Sequence, residues 1–120
     1  MLNENDSLKV WGNGKQSRSF LHASDVDIAI RKIIRYENDL PEYVQIGPNE
    51  GTSISELARL ILFVLGNPNE PIFDTSKPMG DYGRACDYSL AKDLFNWVPT
   101  IALNEGIKDL ADWIESRIEK

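Results

Sequence analysis

Three constellations in this 120-residue chain have the residue types and spacing for chemistry. Gly12-x-Gly14-x-x-Ser17 follows a strand-like run, Leu8-Lys9-Val10-Trp11, and imitates a dinucleotide fingerprint. Such glycines work when they open a helix whose N-terminus receives a pyrophosphate. Here Gln16-Ser17-Arg18-Ser19-Phe20 follows with strand periodicity, and the third small position is Ser. Asn13-Gly14 instead signals a β-hairpin with a return strand over residues 16–23, since both residue types tolerate positive φ. Tyr88-x-x-x-Lys92 places a phenol and an ammonium one helical turn apart, the spacing of an acid/base pair in which Lys lowers the Tyr pKa. The pair falls in a short helix near the C-terminus with no cofactor-binding half before it, so a structural pair is expected. His22 stands alone beside Phe20. Without a second His or a Cys cluster it predicts a packed or hydrogen-bonded histidine rather than a metal ligand.

The elements that must position these residues follow from caps and periodicity. Ser24 is the expected cap of a helix with Val26, Ala29, Ile30 and Ile33 inward, and Asp25 and Asp27 suit its N-terminal dipole. Tyr43-Val44-Gln45-Ile46 reads as a strand closed by Gly47-Pro48-Asn49-Glu50-Gly51. Ser53-x-x-Glu56 is a capping box opening a helix that stops at Gly66. Pro71-Ile72-Phe73 reads as a short extended segment and residues 80–84 as loop. Asp87 or Ser89 caps a short helix that breaks before Pro99. A last helix opens near Asn104 with Ile107, Leu110, Ala111, Ile114 and Ile118 on one face. Several helices with short strands and no regular βαβ alternation predict an α+β fold without a Rossmann domain.

Composition narrows the function classes. The chain is 42% hydrophobic and 27% charged, ordinary for a globular protein, and predicts a single domain over residues 1–120. Its formal charge of −6 argues against nucleic acid or an anionic membrane as partner, although two local arginines can still hold one phosphate. The single Cys86 forms no intrachain disulfide. The polar, acidic N-terminus is unlike a signal peptide, and no apolar run is long enough to span a bilayer, so a soluble, cytoplasmic chain is expected. The helix from Ser53 is apolar nearly all round from its second turn. Leu57, Ile61, Val64 and Leu65 form a core face, and Leu62 and Phe63 continue the polar side. That pattern predicts a homo-oligomer, the alternative being that Leu62 and Phe63 pack under residues 68–78.

Four stretches in order carry a family resemblance. Val10-Trp11-Gly12-Asn13-Gly14-Lys15-Gln16-Ser17-Arg18-Ser19-Phe20-Leu21-His22 with Asp25-Val26 resembles the hairpin that follows the catalytic half of NAD-dependent epimerase/dehydratases. These are the extended short-chain dehydrogenase/reductases that act on nucleotide-sugars. Tyr43 to Pro48 with Ser53 to Ala58 resembles their strand-then-helix unit. Gly80-Asp81-Tyr82-Gly83-Arg84 through Trp97-x-Pro99 resembles their arginine loop and short helix. Leu103-x-Glu105-Gly106-Ile107 resembles the start of their final helix. Gly83-Arg84 together with the hairpin looks most like the GDP-mannose 3,5-epimerase branch.

The resemblance implies a nucleoside diphosphate-sugar ligand, bound weakly by this chain alone. Arg18 and Arg84 would contact its diphosphate or neighbouring ribose, with Gln16 and Ser17 beside them. A guanidinium suits this role because its planar fork stays charged and bonds two phosphate oxygens together. The alternative for each arginine is a solvated or salt-bridged side chain. The family's glycine turn and its own Tyr-x-x-x-Lys would lie upstream of Val10. No catalytic, cofactor or metal residue is therefore assigned, and NAD is implied only for the full-length family enzyme. The expectation is a substrate-binding C-terminal portion, catalytically incompetent alone. The rivals are an interaction module that has lost the ligand, and one subunit of a split enzyme completed by a Rossmann-domain partner.

Overall fold

The computed structural model describes residues 5–83 and 85–118. Four helices and four short strands follow one another as β1 (Lys9–Trp11), β2 (Ser17–Arg18), α1 (Ala23–Ile34), β3 (Thr52–Ser53), α2 (Ile54–Val64), β4 (Ile72–Asp74), α3 (Ser89–Phe95) and α4 (Leu103–Ile118). This is the expected α+β class, but the strands pair differently from the sequence pattern. β1 runs parallel to β4 with Val10 opposite Phe73, and β2 runs antiparallel to β3 with Ser17 opposite Ser53. There is no hairpin at Asn13-Gly14. Gly12 and Gly14 do adopt positive φ, at 92° and 72°, but they steer the chain from one two-stranded sheet to the other. Each strand finds a distant partner, and that tertiary pairing overrides the local turn signal.

α2 matches its sequence signals. Ser53 Oγ accepts from the Glu56 N–H, the Glu56 carboxylate accepts from the Ser53 N–H, and Gly66 takes φ 71° just past the helix end. α1 does not begin at Ser24. His22 is its cap, its Nδ1 accepting from the Ser24 N–H at 3.0 Å. Asp25 is not a surface partner of the helix dipole either. It is fully buried, accepting from Thr100 Oγ1 at 2.7 Å and from the Thr100 and Ile101 N–H groups at 3.0 Å each. Burial pushes the Asp25 carboxyl up, and these bonds, with His22 nearby, outweigh it and bring it below the usual aspartate value.

That carboxylate anchors the core. Ala29, Ala91, Phe95 and Trp97 form the buried cluster, and Trp97 Nε1 donates to the Asp25 carbonyl at 2.9 Å. Tyr36 meets Phe95 edge-on at 4.8 Å, and Lys32 Nζ donates to the Asn96 carbonyl where α3 ends in a left-handed residue. Val44 and Ile46 pack on the same cluster while Tyr43 and Gln45 face outward, so burial alternates as in a strand. Residues 43–46 nonetheless make no ladder among the described residues. Alternation is set by packing, whereas a strand also needs a backbone partner.

The molecule is a slab of 54 × 37 × 18 Å with a radius of gyration of 17.1 Å, against about 14 Å for a compact chain of this length. Leu62 is buried at 2% exposure and belongs to the core, contrary to its expected place on the polar side of α2; Phe63 is 80% exposed. No residue of α4 is buried. No described helix is long and apolar enough to cross a membrane.

Candidate functional site

β2 seats the first candidate residues over the start of α2. Gln16 O accepts from the Ile54 N–H and Gly14 O from the Ser55 N–H, both at 2.9 Å, and Glu56 N–H is taken by its cap. The leading amides of α2 are thus engaged by protein. Gly14 is needed because a Cβ there would come within 2.5 Å of the Phe73 ring. Both glycines lead into a strand, so the residues present do not form the helix-opening cradle that a dinucleotide pyrophosphate requires.

On the other side, Ser17 bridges to Gly83 and its N–H donates to the Tyr82 carbonyl at 2.8 Å. The 80–83 loop is therefore strapped along β2. Arg18 holds that strap. Its Nη1 donates to Ser17 O at 2.7 Å and to Asp81 O at 2.8 Å, and its Nη2 approaches Gly80. Both acceptors are neutral carbonyls. The half-buried guanidinium pairs with no carboxylate among the described residues, in a chain of net charge −6. Gln16 Oε1 is buried beside this strand with no hydrogen-bond partner. The structure thus brings Gln16, Ser17 and Arg18 together with the 80–83 loop; Arg84 lies outside the described residues. From sequence, Ser53 is expected as the α2 cap and Ser55 as part of the polar side of that helix. Their hydroxyls lie 3.1 Å apart, and Ser53 pairs directly across from Ser17, a placement only the β2–β3 register reveals.

The other residues singled out by sequence lie elsewhere in the fold. The Tyr88 ring packs on Trp97 at 6.1 Å, nearly perpendicular, and the Tyr88 N–H donates to Asn49 Oδ1; Lys92 is exposed. Asp87 accepts from the Ser89 N–H and hydroxyl, which holds its carboxyl below the usual range. It thereby braces the start of α3, although Tyr88 stands at the cap position. His22 Nε2 lies 3.5 Å from Asp109 Oδ2. Cys86 donates its N–H to Ser19 Oγ, and burial, aided by the Asp87 charge, raises its thiol. No group of three His, Cys, Asp or Glu among the described residues is arranged to hold a metal.

Comparison with known proteins defines the class. No family model matches the chain. It is 34% identical over 116 residues to GDP-mannose 3,5-epimerase 1 of Oryza sativa subsp. indica, covering 96% of this chain and 30% of that protein. It is 33% identical over 113 residues to GDP-L-fucose synthase 1 of Arabidopsis thaliana, covering 93% and 34%. Among solved structures it superposes on the Thermotoga maritima UDP-glucose 4-epimerase with UDP-glucose. That match has a TM-score of 0.83 at 25% identity and covers 94% of this chain and 36% of that one. The fold and these relatives define an epimerase/dehydratase-type protein. The chain belongs to the nucleotide-sugar epimerase/dehydratase family and corresponds to a C-terminal part of such an enzyme. It spans about a third of the length of the relatives it matches.

Proposed function

We propose that this chain is the nucleoside diphosphate-sugar-binding portion of an epimerase/dehydratase and is catalytically incompetent alone. The observation that carries the reading is Arg18, a half-buried guanidinium with carbonyl acceptors and no carboxylate counter-ion among the described residues. A half-buried cation whose described partners are neutral carbonyls suits an incoming anion, and a diphosphate could accept from its fork. Gln16 supplies a second support, because a buried carbonyl oxygen without a donor is relieved by a ligand hydroxyl or amine. Arg84, next in sequence to the strapped Gly83, is the second cationic arm in this reading. The similar UDP-glucose 4-epimerase structure holds a UDP-sugar, which agrees with that ligand class. NAD, when bound to a whole enzyme of this kind, would supply reversible hydride transfer.

Calorimetric titration against UDP- and GDP-sugars tests the proposal. Weak, saturable binding is expected, because the ligand stays largely exposed on a slab this thin. Arg18→Lys should weaken it nearly as much as Arg18→Ala if the planar fork matters. Equal affinity of the wild-type chain and an Arg18→Ala/Arg84→Ala variant for UDP and GDP would reject the assignment.

A further inference from the structure

α2 and α4 lie side by side, and the space between them is not filled. Leu57 and Ile61 stand four apart along α2, with Leu65 at its C-cap, and Ile107, Leu110 and Ile114 follow at helical spacing along α4. These rows wall a cleft of about 810 Å³ that Phe20 and Leu21 also line. Its outer lip is open: Leu110 is 56% and Trp113 55% exposed.

We propose that this cleft is the seat of one amphipathic helix, apolar on one side and basic on its flanks, supplied by a polypeptide segment outside the third of the family architecture that this chain spans. Two parallel rows of apolar ridges with a groove between them accept a third helix by ridge-into-groove packing, the mode by which grooves recognise helical segments. A small polar ligand fits less well. The lining offers His22 and Asp109 as its only titratable side chains, and they face each other at 3.5 Å. A second copy of the chain fits less well on charge. α4 carries Glu105, Asp109, Asp112 and Glu115 against Lys108 and Arg117, so pairing this face with itself sets acid against acid. A basic-flanked helix complements it. The relatives are about three times as long as their match to this chain, so the family architecture has the chain length to provide such a helix. The inference stands on the cleft and does not depend on the ligand reading.

The test uses the 120-residue chain and overlapping synthetic peptides that tile the part of the rice GDP-mannose 3,5-epimerase 1 outside the matched 116 residues. Binding is read by anisotropy of labelled peptide and by the emission of Trp113, with Trp113→Phe as the spectral control. The expected result is that an amphipathic peptide binds, gains helical circular dichroism, blue-shifts Trp113, and binds at least tenfold more weakly to Leu110→Glu. Leu110 is already half in water, so this variant should keep its fold, and Trp113→Glu provides an independent second disruption. Absence of binding by every peptide would overturn the proposal, as would binding unchanged by both variants. Self-association in sedimentation that Leu110→Glu abolishes would also overturn it, by assigning the face to a second copy.

Discussion

The Asp25–Trp97 corner and the α2–α4 cleft are built from the same material, helices with apolar stripes, and reach opposite states. At the corner, Trp97 and Ala91 are 1% exposed, and the Asp25 carboxylate takes three hydrogen bonds from the linker between α3 and α4. At the cleft, the longest helix buries no residue. The corner is closed by the chain's own residues, whereas the cleft leaves apolar side chains such as Leu110 and Trp113 more than half exposed. Burying such side chains is worth roughly 1.5–3 kcal/mol each, so leaving several in water is a substantial forgone stabilisation in one small fold.

The largest expected effects fall at the closed corner. Trp97→Ala should cost about 3–5 kcal/mol, enough to unfold much of the chain, as read by the urea midpoint and helical signal. Asp25→Ala should cost about 2–3 kcal/mol, because it removes a buried acceptor and leaves the part-buried Thr100 and Ile101 N–H groups without their partner. An effect at either residue no larger than at the cleft would break the comparison.

Acidification sharpens it. Asp25 sits below its ordinary value of 3.8, so the folded chain binds its proton less readily than the unfolded chain does. The stabilisation is fully present above the unfolded value and is lost as pH falls through the lower folded value. Denaturant unfolding of wild type should therefore weaken below about pH 4, and the Asp25→Ala profile should be flatter there.

Smaller effects follow along the site and the cleft. Gly14→Ala meets both a positive φ and the Phe73 ring, and should destabilise by about 2 kcal/mol in the same unfolding assay. Leu110→Glu should change stability by no more than about 0.5 kcal/mol, because the side chain is already in water. A loss of several kcal/mol would show that the cleft is closed in solution.

What was legible in the sequence was what local chemistry controls. The capping box at Ser53 and Glu56, the stop at Gly66 and the amphipathic final helix all appear at their expected places. Pairing was not legible. Asn13-Gly14 carries the local signature of a hairpin, yet β1 joins β4 some sixty residues away and β2 joins β3, choices made by tertiary contacts. Asp25 reads as a helix-dipole residue because nothing near it announces Thr100, and the linkage exists only once α1 and the α3–α4 linker meet. Family resemblance singled out Gln16, Ser17 and Arg18 as candidates, but the strap from residues 80–83 along them was not legible.

Hydrogen exchange measured by mass spectrometry on the intact chain compares the two sides most directly. Slow exchange is expected for the amides of α1, α3 and Thr100–Ile101, and markedly faster exchange along α4, none of whose residues is buried. Protection of α4 equal to that of α1 in the isolated chain would contradict the claim that one side of this fold is self-sufficient and the other is not.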